Sequence, residues 1–106
     1  ELQKVGFGII SEIDIQKTFK EKLNINHKPY RILGACNPYL ANEALKIEPE
    51  VGMLMPCNIT FWDNENKTVT ISGIDAEKQL SNTNNIKLIK IGREVNLLIR
   101  DAINSI

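Results

Sequence analysis

The sequence predicts an α+β domain in which helices pack on one face of a mainly antiparallel sheet. Four segments alternate apolar and polar side chains with the two-residue period of a strand, and three segments show the helical period of about 3.6 residues. Two neighbouring strands are joined by a short polar loop, which indicates an antiparallel hairpin. The chain has 106 residues, so we expect one domain around one core.

The first predicted unit is a strand followed by a helix. Residues 5–13 alternate in character, and the helix that follows begins after Asp14, a preferred N-cap residue, and runs to about Leu23. Ile15, Phe19 and Leu23 are spaced four residues apart, so we expect them to form one buried stripe.

The second predicted unit has the same order. Residues 30–36 form a strand, and Asn37 then caps a helix with Pro38 at its first position, where a missing N–H costs nothing. The apolar face of this helix consists of Leu40, Ala41, Ala44 and Leu45, with Ile47 at its end. Residues 48–52 end the helix, since they contain a proline and a glycine.

A hairpin follows, with strands at residues 53–62 and 68–74 and a loop at residues 63–67. Met53 and Met55 are expected to fill the core, and Pro56 indicates a sheet edge or a bulge because it cannot donate a ladder hydrogen bond. Trp62 is predicted on the strand face away from the cysteines, together with Leu54 and Thr60. Such a tryptophan indicates either a surface for a partner or a side chain partly covered by a loop.

The last predicted element is a long amphipathic helix over residues 86–106, preceded by a polar stretch at residues 76–85 without a clear structure. Its buried side is expected to contain Ile91, Val95, Leu98, Ala102 and Ile106. Its basic residues Lys87, Lys90 and Arg93 have the spacing of a solvated face.

Composition limits the classes of function. Thirteen basic residues balance thirteen acidic ones, which argues against broad electrostatic binding to nucleic acid or to an anionic membrane. No apolar run approaches the roughly 18 residues that a membrane helix needs, and no secretory signal is visible, so a soluble cytoplasmic protein is expected. Two cysteines are too few for a disulfide scaffold.

Two short segments contain the candidate site. The first Cys-Asn segment is Gly-Ala-Cys-Asn-Pro at residues 34–38, and the second is Met-Pro-Cys-Asn at residues 55–58. Cys36 and Cys57 share faces with apolar side chains, which favours core packing, since free cysteine is often buried. The alternative is a thiol pair at neighbouring strand ends that forms a disulfide or holds a soft metal. The position of Cys36 before a helix N-terminus favours that alternative, since the helix dipole stabilises a thiolate.

The two asparagines also have two interpretations. Asn37 is explained as a helix cap, and the amide of Asn58 could satisfy backbone groups near the second helix. Alternatively both amides, with the free N–H groups of that helix, form a small polar pocket for an anion or a carboxylate. Cys36, Asn37, Cys57 and Asn58 are therefore the predicted ligand-binding residues.

Other charged residues are weaker candidates. Glu12 and Asp14 are two residues apart at a strand end, but Asp14 is used as a cap, so an acid–base pair is not favoured. Arg31 is expected either to pair with Glu12 across the sheet or to line an exposed groove. His27 is the only histidine, so a four-ligand zinc site would need carboxylates or a second chain.

Several separated blocks resemble the signature of the DUF302 family of small bacterial and archaeal domains. They are Phe-Gly at 7–8, Glu-Ile-Asp at 12–14, residues 30–38, Leu-Ala at 40–41, Ala-Leu at 44–45, Val-Gly at 51–52 and the second Cys-Asn segment. The resemblance implies a TBP-like fold, a curved antiparallel sheet with a long C-terminal helix, and it makes a dimer plausible. It implies no established activity. By comparison with the family, the chain is expected to lack the first strand and most of the first helix, which leaves a sheet edge open for another chain.

The favoured function is that of a non-enzymatic domain that binds a ligand or partner and self-associates, without a cofactor. The first alternative is a thiol-dependent redox or metal-handling protein that uses Cys36 and Cys57. The second is a purely structural dimerisation module that uses Trp62. No Ser-His-Asp arrangement, phosphate-binding loop, nucleotide fingerprint or metal motif of standard spacing is present.

Overall fold

The computed structural model describes residues 1–106 and contains four strands, four α-helices and two 3-10 helices. The strands are β1 (Gly8–Asp14), β2 (Tyr30–Cys36), β3 (Cys57–Asp63) and β4 (Val69–Gly73). The α-helices are α1 (Ile15–Leu23), α2 (Pro38–Ile47), α3 (Ala76–Ser81) and α4 (Ile86–Asn104). The 3-10 helices are Gln3–Val5 and Pro49–Leu54.

The strands form one open antiparallel sheet in the order β1-β2-β3-β4, which confirms the predicted α+β class. Ala35 lies opposite Cys57 in β3, and Phe61 lies opposite Ile71 in β4. The β1–β2 register shifts between Ile9 and Ser11, so Ile10 is an extra residue in the ladder.

The long helix α4 covers one face of this sheet. Ala35 and Ile59 are buried on that face and belong to one cluster with Val95 and Ile99 of α4. Gly73 lets the helix approach β4, since a Cβ there would lie 3.0 Å from Ile99 Cγ2. A second buried cluster joins α2, the 3-10 helix at Pro49–Leu54, α3 and α4 through Ala44, Val51, Leu80 and Leu88.

The predicted caps are present. The N–H of Lys17 donates to Asp14 Oδ1 at 3.0 Å, and the N–H of Leu40 donates to Asn37 Oδ1 at 3.2 Å. Strand β2 and the start of α4 also have their predicted bounds. Local signals determine these positions, because a cap satisfies the free N–H groups of its own first turn.

The predicted third strand was wrong in its first half. Residues Pro49–Leu54 form a 3-10 helix, and β3 begins only at Cys57, after a cis Met55–Pro56 peptide bond. Pro56 therefore lies before a central strand and marks neither an edge nor a bulge. Met53 is 86% exposed and does not fill the core, whereas Met55 packs against the second cluster as expected.

The polar stretch at 76–85 contains helix α3, which the sequence analysis missed. Asp75 caps this helix by accepting the N–H of Lys78 at 3.0 Å, and Ala76 and Leu80 are buried four residues apart. The short length of the helix hides its periodicity, and its packing on α4 stabilises it. Gly92 allows that packing, since a Cβ there would lie 2.7 Å from the Ala76 carbonyl oxygen.

Two predicted buried faces also differ. Helix α1 has no buried residue, and Leu23 is 60% exposed, because α1 contacts the rest of the molecule mainly near β2. Ile106 lies beyond the end of α4 and is 78% exposed. The buried residues of α4 are Leu88, Gly92, Val95, Ile99 and Ala102.

Candidate functional site

The end of the sheet contains an apolar cavity of about 130 Å³. It lies where β2 ends and β3 begins, beneath α2 and against α3 and α4. Fifteen of its 18 lining residues are hydrophobic. We call it the sheet-end cavity.

Both thiols line this cavity. Cys36 is the last residue of β2 and Cys57 is the first residue of β3. Because the two strands are antiparallel, these residues lie at the same end of the sheet. Both cysteines are free and half-buried. Cys36 and Cys57 therefore line one cavity from neighbouring strand ends, although Ala35 and not Cys36 lies opposite Cys57, and neither thiol is fully enclosed in the core.

Burial raises the pKa of the Cys57 thiol, and the neighbouring Cys36 raises it further. Both effects disfavour the thiolate, the first by desolvation and the second by repulsion between like charges. Cys57 is therefore a neutral thiol at pH 7, and its nucleophilicity is low.

Asn37 lines the same cavity, and Asn58 does not. The Asn37 side-chain oxygen is occupied as the α2 cap, but its Nδ2 donates to no other group of the protein. Asn58 is exposed and lies opposite Gly34, while its backbone carbonyl accepts the N–H of Ile74 at 3.1 Å. The structure thus brings together three of the four predicted site residues.

The cavity is also lined by two polarisable or polar residues that the sequence analysis did not include in the site. Met55 contributes a thioether, and Gln79 contributes an amide that makes no hydrogen bond within the chain. Met55 is in the second Cys-Asn segment and could have been found by its spacing of two from Cys57. Gln79 is in α3, a helix that the sequence analysis missed. Recognition of Asp75 as a helix cap was the only sequence signal for that helix and therefore for Gln79.

The opposite end of the sheet contains an aromatic row. The Tyr30 and Trp62 rings are stacked with centroids 5.4 Å apart, and His27 lies edge-on between Phe19 and Tyr30. Trp62 lies on the face that Cys36 and Tyr30 share, so its predicted placement away from both cysteines was wrong. The Tyr30 ring covers one face of the indole.

The predicted cross-strand ion pair is present. Arg31 Nη1 donates to Glu12 Oε1, and Arg31 Nη2 lies 3.5 Å from Asp14 Oδ2. The hydrogen bond that Arg31 donates to Glu12 and the charge of Asp14 raise the pKa of Arg31. These three side chains satisfy one another at the surface and do not line the cavity.

The sequence matches a known protein family. The profile of DUF302, a domain of unknown function, matches residues 1–106. This chain belongs to the DUF302 family. The resemblance based on the two Cys-Asn segments and their flanking blocks is thereby confirmed. No match is found among curated proteins.

A solved DUF302 structure has the same architecture. The crystal structure of an uncharacterized conserved DUF302 protein from Bacillus stearothermophilus aligns with a TM-score of 0.86 at 24% sequence identity. The alignment covers 94% of this chain and 77% of that chain. At this identity the similarity shows the fold alone.

Two further features of this DUF302 domain concern membranes and metals. None of its helices combines the length and the apolar character needed to cross a membrane. No group of three or more His, Cys, Asp or Glu side chains lies together in an arrangement that could hold a metal ion.

Proposed function

We propose that this DUF302 protein is a non-enzymatic binding domain that holds a small, uncharged, mainly apolar molecule in the sheet-end cavity. The observation that supports this function is the apolar lining of a cavity of about 130 Å³. An apolar cavity of about 150 Å³ remains dry and binds benzene, because water inside it finds too few hydrogen-bond partners. The expected ligand therefore has the size of a single ring or a short branched chain.

The polar lining residues indicate one polar group on that ligand. Gln79 offers both an amide oxygen and an amide nitrogen, and Asn37 offers the Nδ2 group that its capping role leaves free. A few placed polar groups in a mainly apolar pocket orient a ligand and select it. A hydroxyl or carbonyl group on a small apolar molecule would match these side chains.

The state of the Cys57 thiol favours binding over catalysis by that thiol. Burial raises the pKa of Cys57, so a reaction that requires its thiolate at pH 7 is disfavoured. Thiol-dependent redox chemistry, the alternative predicted from the two cysteines, would need a lowered pKa instead. We therefore assign Cys57 to the cavity wall.

The test compares two leucine substitutions on α2. Ala41→Leu adds volume inside the cavity, whereas Asn42→Leu adds the same side chain at the neighbouring exposed position. Benzene and phenol are titrated into each protein, and binding is followed by chemical-shift changes in heteronuclear NMR spectra. We expect saturable shifts at cavity residues in wild type and Asn42→Leu, and their loss in Ala41→Leu. Absence of saturable shifts in the wild type would refute the proposed function.

We also propose that the protein self-associates through the β4 edge of the sheet. Charged residues and proline usually protect an edge strand from pairing with another chain. Residues Val69–Gly73 contain neither. Antiparallel pairing of two copies about Ile71 would place Val69 opposite Gly73 and Thr70 opposite Ser72. The strand is therefore self-complementary about a two-fold axis, as a symmetric dimer requires.

An apolar groove next to this edge supports the same partner. It follows the part of the sheet face beside the C-terminal end of α4, and 11 of its 13 lining residues are hydrophobic. Val69 and Ile71 of the edge strand belong to it, and Val69 is 60% exposed. Pairing of two β4 strands would join the two grooves and bury these side chains.

The oligomeric state tests this interface. Sedimentation equilibrium is measured for wild type, Ile71→Lys on the β4 edge and Ile13→Lys on the β1 edge, with circular dichroism to verify folding. We expect wild type and Ile13→Lys to be dimers and Ile71→Lys to be a monomer. A monomeric wild type, or a dimer that only Ile13→Lys disrupts, would contradict the β4 interface.

A further inference from the structure

We propose that Ile10 forms the mouth of the sheet-end cavity and sets the length of the ligand that the cavity accepts. This inference deepens the proposed ligand binding and rests on it. Of the 18 residues that line the cavity, Ile10 is the only exposed one, with an exposed fraction of 64%. The other lining residues are buried or half-buried. A side chain that borders both the cavity and the solvent marks the place where the cavity opens.

A break in the β1–β2 ladder gives Ile10 this position. Ile9 lies opposite Ala35. The next pair in the ladder is Ser11 with Gly34, so Ile10 has no partner in β2. A β-bulge of this kind bends its strand and re-aims a side chain, and such bulges are common beside active sites. Because β1 is an edge strand, no ladder on its other side opposes the bulge.

The two neighbours of Ile10 do not share its surroundings. Ile9 lies on the sheet face of Ala35 and lines the apolar groove beside α4 instead of the cavity. Ser11 lies on the opposite face, where a Cβ at Gly34 would overlap its hydroxyl. Without the extra residue, the alternation of a regular strand would place Ser11 on the same face as Ile9. The bulge therefore leaves Ile10 as the only residue of β1 that lines the cavity.

The helices supply walls of a different kind. Leu40, Ala44, Leu80 and Val95 line the cavity and are buried members of the two core clusters. A change at any of them alters core packing as well as the cavity. Ile10 belongs to neither cluster, so its side chain can change without removing a core contact. The mouth is therefore the part of the lining that can determine ligand selection independently of the fold.

The position of Ile10 predicts how the cavity treats ligands of different length. A cavity of about 130 Å³ has room for a single ring. A longer substituent on that ring has to pass the mouth, where it meets the branched side chain of Ile10. A shorter side chain there would let the substituent lie across the mouth while the ring stays inside. One methylene that does not fit an apolar pocket changes affinity by about tenfold or more.

Alanine substitutions at two adjacent isoleucines test the mouth. Ile10→Ala shortens the mouth side chain, and Ile9→Ala makes the same change at a 48% exposed position that does not line the cavity. Benzene and n-butylbenzene are titrated into wild type and both variants, and heteronuclear NMR spectra give the two dissociation constants. We expect wild type and Ile9→Ala to prefer benzene. Ile10→Ala should shift the ratio of the two constants toward n-butylbenzene by at least about tenfold.

A conservative variant separates side-chain size from a general structural effect. Ile10→Leu keeps the side-chain volume nearly constant, so it should keep the wild-type ratio of the two dissociation constants. A ratio in Ile10→Leu that changes as much as in Ile10→Ala would overturn a role based on size. Thermal unfolding verifies that each variant is folded before its ligands are compared.

Failure of this inference and failure of the proposed function give different results. If the wild type binds benzene saturably and Ile10→Ala keeps the wild-type ratio, Ile10 does not form the mouth and the proposed binding is unaffected. An equal change of the ratio in Ile9→Ala would also overturn the role of Ile10. Absence of benzene binding in the wild type would refute the proposed function, and the mouth with it.

Discussion

The two Cys-Asn segments are similar in sequence and differ in structure. Both deliver a cysteine to the sheet-end cavity, but only the first also delivers its asparagine. The chain leaves the sheet after Cys36, so Asn37 enters the helix α2 beside the cavity. After Cys57 the chain enters the sheet, so Asn58 alternates to an exposed position opposite Gly34. The direction of the chain at the strand end thus decides the role of each asparagine.

The largest expected effect concerns the contact between the two segments. A Cβ at Gly34 would overlap the Ser11 hydroxyl, which can rotate away, and would lie 2.7 Å from Pro56 Cγ, which belongs to a rigid ring. Gly34→Ala should therefore destabilise the protein by about 1–3 kcal/mol, the usual cost of overpacking. Urea unfolding measures this change in free energy.

Gly8→Ala is the matched control for Gly34→Ala. Gly8 lies opposite Cys36 in the adjacent strand, and a Cβ there would meet no atom within 4 Å. This substitution should leave stability unchanged or raise it by up to about 1 kcal/mol, because alanine restricts the unfolded chain. Equal effects of the two substitutions would show that the Gly34–Pro56 contact does not constrain the segments.

The second prediction compares the two asparagines. Asn37→Ala removes the side-chain oxygen that accepts the Leu40 N–H, so it should cost about 1 kcal/mol, the typical value for an N-cap. Asn58→Ala removes an exposed side chain without a hydrogen-bond partner and should change stability by less than about 0.5 kcal/mol. Thermal unfolding of both variants measures the difference. A larger loss for Asn58→Ala would reverse the assignment of their roles.

The smallest expected effect is the pH dependence that Cys57 contributes. Its pKa is raised in the folded state, so the fold binds this proton more tightly than the unfolded chain does. The resulting stabilisation is fully present below the ordinary pKa of 9.0 and is lost as the pH rises through the folded value. We expect the free energy of unfolding to decline above about pH 9, and Cys57→Ser to reduce that decline.

Cys36→Ser is the companion measurement. Burial is the larger cause of the raised Cys57 pKa, and the neighbouring Cys36 is the smaller one. Cys36→Ser removes only the smaller cause, so the pH at which stability declines should shift only slightly. If Cys36→Ser abolished the decline as completely as Cys57→Ser, repulsion between the two thiols rather than burial would dominate the titration.

Much of the fold could be predicted because its signals are local. The caps at Asp14 and Asn37, the bounds of β2 and the start of α4 depend on residues within one or two turns of each position. Helix α3 and the 3-10 helix at Pro49–Leu54 could not be predicted in the same way. They are too short to show a period, and packing on α4 and α2 stabilises them.

The sequence by itself determined the α+β class, the positions of the main helices and most strands, and membership in DUF302. Only the tertiary structure decided that Met55 and Gln79 join the cavity, that Asn58 turns away from it and that Trp62 stacks on Tyr30. The physical reason is the range of the forces involved. Caps and periodicity act between near neighbours in the chain, whereas a cavity forms where side chains distant in sequence fail to fill the space between packed elements.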